Sequence, residues 1–177
     1  MDRTGSGSVV SSIRFCSEGV LVHDQLAQAI REAVHEFFLA FLSLEVQPGP
    51  TFRKPAFEPY VPPQADVTGV VRLSGALDGG IHLSAPMHVA LAMSSSFADE
   101  PMEAMAEEAR DAFGELTNLV AGGVQSRLAD TLGEITLTPP FVVFGDQYTM
   151  AVKANFSSVK TYFRIEGGPF FVECFFL

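Results

Sequence analysis

Two cysteines, no tryptophan and only eleven lysines and arginines against twenty-one aspartates and glutamates set the first limits on this 177-residue chain. Cys16 and Cys174 are too few for a disulfide scaffold, so a reduced, cytoplasmic setting is expected. A formal net charge of −10 argues against nucleic acid as partner, because phosphates demand a basic face. It also disfavours an anionic membrane surface and suits a partner that presents lysines or bound cations. No apolar run reaches the roughly 20 residues that cross a bilayer. Met1–Ser12 lacks the apolar core of a signal peptide, so no membrane insertion is expected. His23, His35, His82 and His88 show neither metal-ligand spacing nor a recognisable triad.

What the chain does have is apolar mass: 47% of its residues are hydrophobic and sixteen are Phe. That composition fits one packed domain. Residues 1–22 read as a flexible tail with a short strand candidate at Ile13–Phe15, and residues 23–177 as a single domain. From Asp24, a plausible N-cap, to Glu45, Leu26, Ile30, Val34, Phe37, Phe38, Phe41 and Leu42 recur at helical spacing. Residues 47–63 carry Pro48, Pro50, Pro55, Pro59, Pro62 and Pro63, which forbid a helix or central strand and predict an extended connector.

Val67–Ser74 and Ile81–Ser84 read as strands around Leu77-Asp-Gly-Gly80, a turn whose glycines would supply positive φ. Pro86 sits at the first turn of a helix running to Phe97. Pro101 opens a second helix, 101–129, with Glu103, Glu107 and Glu108 at its positive end. Strands are expected at Glu134–Thr138, Phe141–Phe144, Tyr148–Ala154, Val159–Glu166 and Phe170–Phe176, the last two joined at Glu166-Gly-Gly-Pro169. A helix-then-hairpin order occurs in both halves. The fold class is α+β: a largely antiparallel sheet covered by helices, with an internal pseudo-repeat.

The chemistry concentrates in Asp111-Ala-Phe-Gly-Glu115-Leu-Thr-Asn118. At about 100° per residue, Asp111, Glu115, Asn118 and Gly122 share one helical stripe roughly 60° wide. Phe113, Leu116, Leu119, Val120 and Val124 gather on the opposite side. Gly114, Gly122 and Gly123 weaken the helix by up to about 1 kcal/mol each, which implies close approach by the sheet or by a partner. Asp111 and Glu115 alone offer too few oxygens for a metal site, so none is expected.

The Asp-x3-Glu-x2-Asn pattern is followed by Leu119-Val120-Ala121-Gly122 and, downstream, by Pro140 opening Phe141-Val142-Val143-Phe144-Gly145. It is preceded by the 67–75 and 79–86 hairpin. In this order the segments resemble the CheX branch of the CheC/CheX/FliY chemotaxis phosphatases, and the resemblance runs from Gln25 to the C-terminus.

That resemblance implies a phosphatase for the phospho-aspartate of a CheY-like response regulator. Asn118 would position the attacking water, and Glu115 would anchor the regulator's active-site lysine. Asp111, Gly122 and Pro140 would support docking. Mg²⁺ would belong to the partner receiver domain, with no cofactor bound by this chain. A homodimer paired through the sheets is also implied. The first-half helix has Glu32 and His35 but no Glu-x2-Asn, so one active site per chain is expected, as in CheX and unlike two-site CheC. The alternative is a non-catalytic CheX-like module that docks a receiver or another signalling protein without turnover.

Overall fold

In the computed structural model of the protein, residues 7–61, 64–145, 148 and 155–177 are described, those before 21 as backbone only. Helices α1 (Gly7–Leu42), α2 (Met87–Ala98) and α3 (Glu107–Leu132) lie over an antiparallel sheet. Its strands are β1 (Gln47–Lys54), β2 (Val67–Gly75), β3 (Gly79–Ala85), β4 (Ile135–Leu137), β5 (Phe141–Phe144), β6 (Ser157–Ile165) and β7 (Gly168–Phe176). The order across the sheet is β1-β6-β7-β3-β2-β4, with β5 also pairing β2. This is the α+β architecture expected.

The pseudo-repeat is visible in how the strands cross. Hairpins β2–β3 and β6–β7 lie side by side, joined at the centre by the β3–β7 ladder. The strand that precedes each hairpin leaves its own half. β1 pairs with β6 of the second half, while β4 and β5 pair with β2 of the first. Neither half can complete its own sheet.

Alternation along the strands decides which face meets the helices. Val67 and Val71 of β2, Ile81 and Leu83 of β3, Val159 and Phe163 of β6, and Val172 and Cys174 of β7 all join the core. On α1, Leu26, Ile30, Val34, Phe38 and Leu42 form an unbroken i, i+4 ridge buried against them. Phe38 stacks on Phe170 with ring centroids 4.9 Å apart. Burial pushes the Cys174 thiol up to about 12, so it stays protonated and unreactive.

Several expectations need correction. The backbone is helical from Gly7, so Ile13–Phe15 is not a strand and Asp24 lies inside α1 rather than capping it. The stretch read as a connector begins as an edge strand, β1, with a register shift between Pro48 and Thr51. An edge tolerates prolines because the missing N–H groups can face away from the ladder. Positive φ in the β2–β3 turn belongs to Gly75 at 104°, whereas Gly79 and Gly80 are already in β3. Pro86 is the N-cap of α2, and Asp66 Oδ2 accepts the Met87 N–H at 2.9 Å. Pro101 does not open α3, whose N-cap is Ala106. Apart from Tyr148, the strand expected at 148–154 lies outside the described residues.

The sheet's second face carries a buried carboxylate. Glu173 is 1% exposed. It accepts hydrogen bonds from Ser158 Oγ at 2.9 Å and from the Tyr60 hydroxyl at 3.0 Å, with Lys160 Nζ at 3.6 Å. His82 stands opposite it in the β3–β7 ladder and packs on Phe175, centroids 4.5 Å apart. Burial raises the Glu173 carboxyl, against the opposing pull of Lys160 and the hydroxyl donors. Burial likewise holds the His82 imidazole down at about 4.

These two groups give opposite pH slopes. His82 binds fewer protons folded than unfolded, so its contribution to stability is full above the ordinary value of 6.5. That contribution is lost as pH falls through about 4, and integrates to about 3 kcal/mol. Glu173 holds its proton longer when folded, so its contribution is full below 4.5 and is lost as pH rises through its raised pKa. In His82→Gln, urea unfolding measured from pH 4 to 6.5 should lose the rising component, and Glu173→Gln should steepen it. An unchanged profile in His82→Gln would exclude the imidazole as its source.

A second test concerns how α3 is seated. A Cβ at Gly69 would lie 2.0 Å from Thr117 Oγ1 and 2.9 Å from Thr117 Cβ. Gly69→Ala should therefore cost about 1–3 kcal/mol, read as a lowered denaturation midpoint. Adding Thr117→Ala should recover only part, since it leaves the 2.9 Å contact in place. A Gly69→Ala protein as stable as wild type would mean that α3 is not held by this contact.

Candidate functional site

Helix α3 is clamped on three sides. Phe113, Leu116, Val120 and Val124 are fully buried beneath it. Thr117, also buried, sits over Gly69 of β2 and returns its hydroxyl to the Phe113 carbonyl at 2.7 Å. Toward α1, a Cβ at Gly123 would meet Ala33 Cβ at 3.0 Å and the Phe37 ring closer still. Toward β5, a Cβ at Gly114 would touch Val142 Cγ2 at 3.6 Å and Pro140 Cγ at 3.7 Å. Pro140 thus braces the helix at the turn into β5.

The fourth side is free, and it carries the predicted residues. Asp111 and Glu115 are exposed, and Asn118 and Gly122 are half-buried. Among the described residues, neither Glu115 nor Asn118 has a hydrogen-bond or ion-pair partner. A Cβ at Gly122 would meet nothing within 4 Å, so this glycine opens space rather than fitting a neighbour. The stripe and its glycine are therefore brought together as expected, with Pro140 beside them but not on the ridge itself.

Sequence reasoning did not find the wall next to Asn118. A shallow groove of about 380 Å³ runs along the ridge, lined by Asn118, Leu119 and Gly122 from α3, Glu36 and Phe37 from α1, and Leu137 from β4. Leu119, assigned by its angle to the apolar side, is half-buried and forms part of this lining. At the end of the groove Arg127 pairs with Glu32 at 3.2 Å and with Glu36, and donates to the Gly123 carbonyl at 2.9 Å. Gln125 Nε2 donates to the Ile135 carbonyl, tying α3 to β4.

Helix α1 spends its polar groups internally. Arg53 holds Asp24 at 2.6 Å, Arg31 donates to Thr51 Oγ1 at 2.8 Å, and Glu32 and Glu36 are taken by Arg127. No matching ridge of free acid and amide is left there among the described residues.

The open ridge offers a carboxylate that can hold a cation and a carboxamide that can both donate and accept. It offers no nucleophile.

A carboxylate and a carboxamide one turn apart thus stand on an outward helix of an exchanged-strand α+β sheet. The chain belongs to the chemotaxis phosphatase CheX family, whose model matches residues 67–164. The matched segment contains the whole of α3 and Pro140.

Solved structures agree in fold. The chemotaxis protein CheX of Desulfovibrio desulfuricans superposes with a TM-score of 0.77 at 20% identity, over 86% of this chain and 99% of that one. CheX of Vibrio vulnificus gives 0.73 at 25% identity, over 85% and 98%. A chain of the CheX–CheY–BeF3–Mg²⁺ complex of Borrelia burgdorferi gives 0.68 at 18% identity, over 84% and 96%. Among curated proteins none matches. Among the described residues no helix is long and apolar enough to cross a membrane.

Proposed function

We propose that this protein accelerates hydrolysis of the phospho-aspartate of a CheY-like receiver domain, with Glu115 and Asn118 of α3 entering the receiver's active site. The observation that carries this reading is the pair itself: two polar side chains without partners on the free side of a helix clamped on its other three sides. Family membership and the Borrelia CheX–CheY complex support the choice of partner.

The chemistry follows from what each group can do. Water attacks phosphorus in line, the P–O bond to the aspartate breaks, and inorganic phosphate leaves a free carboxylate. The transition state is loose, so rate comes from positioning and charge stabilisation. Asn118 accepts from and donates to groups around one water and fixes its line of attack. Glu115 pairs with the receiver's active-site lysine, which sets the depth and angle of α3. Asp111 supports docking at the rim, and Gly122 lets the receiver's backbone approach. Mg²⁺ is held by the receiver and not by this chain.

The test is the decay rate of a phosphorylated CheY-like receiver. Wild type should accelerate it. Asn118→Ala should lose the acceleration by about 100-fold or more while still binding, and Glu115→Ala should weaken binding as well. Binding by wild type with no acceleration would favour the docking-module alternative.

Pairing of two copies belongs to the same reading, though not through β7. That strand lies between β6 and β3, so both its edges are already paired within one chain, and all its residues but Pro169 are buried. Of the two edges among the described residues, β1 at one side and β4 with β5 at the other, β1 is the longer strand, and its Phe52 is 57% exposed. Sedimentation equilibrium should give a dimer that Phe52→Glu weakens. A monomer at all concentrations would remove pairing from the proposal.

A further inference from the structure

The acidic ridge has a cation on its flank that no carboxylate among the described residues claims. Arg110 is exposed, one turn before Gly114 on the side of α3 that faces β5. Its guanidinium carbon lies 5.8 Å from the centroid of the Phe144 ring. Among the described residues no carboxylate comes within ion-pair distance of it, although Glu107 and Asp111 are close in sequence.

The other described cations are accounted for. Arg53, Arg127 and Lys160 have carboxylate partners. Arg31 donates to Thr51, and Lys54 donates to the carbonyls of Pro55 and Phe156. Arg72 and Arg164 alternate with core residues of β2 and β6, and so stand on the sheet face away from the helices.

Resting on the phosphatase reading, we propose that Arg110 is a docking residue that pairs with an acidic side chain on the rim of the receiver's phosphorylation site. A site that binds Mg²⁺ through carboxylates and carries a phosphoryl group is anionic at its mouth. Glu107, Glu108, Asp111 and Glu115 on the approaching helix add charge of the same sign. A cation on the flank of the ridge offsets that repulsion and selects a receiver with a carboxylate at the matching place.

Distance assigns Arg110 to the rim and not to the reaction. It precedes Asn118 by eight residues, about 12 Å of helical rise, which is too far to reach the phosphorus that Asn118 addresses. The Phe144 ring holds the guanidinium in place, so less side-chain freedom is lost on docking. Arg110 is therefore a positioning residue, and its signature is in KM.

Steady-state dephosphorylation of a CheY-type receiver separates this role from others, with wild type, Arg110→Gln and Arg110→Lys compared at low and moderate salt. Arg110→Gln should raise KM by roughly three- to fivefold with kcat unchanged, and flatten its dependence on salt. Arg110→Lys should restore most of the affinity. Equal KM and salt dependence for wild type and Arg110→Gln, or a fall in kcat alone, would overturn the proposal.

The same variants are titrated against the receiver carrying beryllofluoride and Mg²⁺. If wild type binds this complex without accelerating decay, catalysis is excluded. The docking role then stands if Arg110→Gln binds more weakly and falls if it binds equally. No binding by wild type would overturn both readings.

Discussion

The close approach of α3 to β2 depends on the missing side chain at Gly69, where Thr117 occupies the space that a Cβ would need. A helix lying on a sheet can still roll about its axis, and here the roll is stopped twice more. Gly123 lets α1 come in against one flank, and Gly114 receives Pro140 and Val142 on the other. With the apolar side down and both flanks in contact, the stripe of Asp111, Glu115, Asn118 and Gly122 is held facing outward. Two of the glycines that weaken α3 as an isolated helix are therefore what fixes its orientation. The loss in local propensity is offset by packing that a larger residue would prevent.

The same sheet carries a second, less expected commitment. Strand β7 lies at the centre of the fold, hydrogen-bonded on both sides, and its second face bears Glu173 among aromatic rings. A lone carboxylate there would be costly to ionise. Ser158, Tyr60 and Lys160 converge on it from β6 and from the segment after β1. Tyr60 also packs edge-on against Phe156 and Phe175. The buried acid thus ties the proline-rich segment to the sheet, giving that segment one register on a face otherwise held by non-directional packing.

Periodicity made the central helix legible, because the split between the polar stripe and the buried Phe113, Leu116, Val120 and Val124 survives in the fold. The two hairpins were legible from glycine-bearing turns. Boundaries were less so, for identifiable reasons. Pro101 imitates a helix start, but the chain turns through residues 99–106 first, held there by the Ser95 hydroxyl that accepts the Met102 N–H. The prolines of 47–54 hide a strand because an edge position removes the penalty they would carry inside a sheet. The groove beside Asn118 was beyond reach. Its far wall, Glu36 and Phe37, belongs to a helix distant in sequence, and only the α1–α3 crossing brings it into place.

That crossing also accounts for the inequality of the two halves. Strand exchange relates α1 and α3 as counterparts, each followed by a strand that pairs with the other half's hairpin. Yet two exposed acids of α1, Glu32 and Glu36, reach across the helix pair to Arg127, which neutralises them. Asp24 and Arg31 are occupied by β1. Among the described residues the acids of α3 are left without partners. Making α1 a second site would require freeing Glu32 and Glu36, which would leave Arg127 unpaired in the seam between the helices. The arrangement that holds α1 against α3 is thus the one that reserves the open ridge for α3 alone.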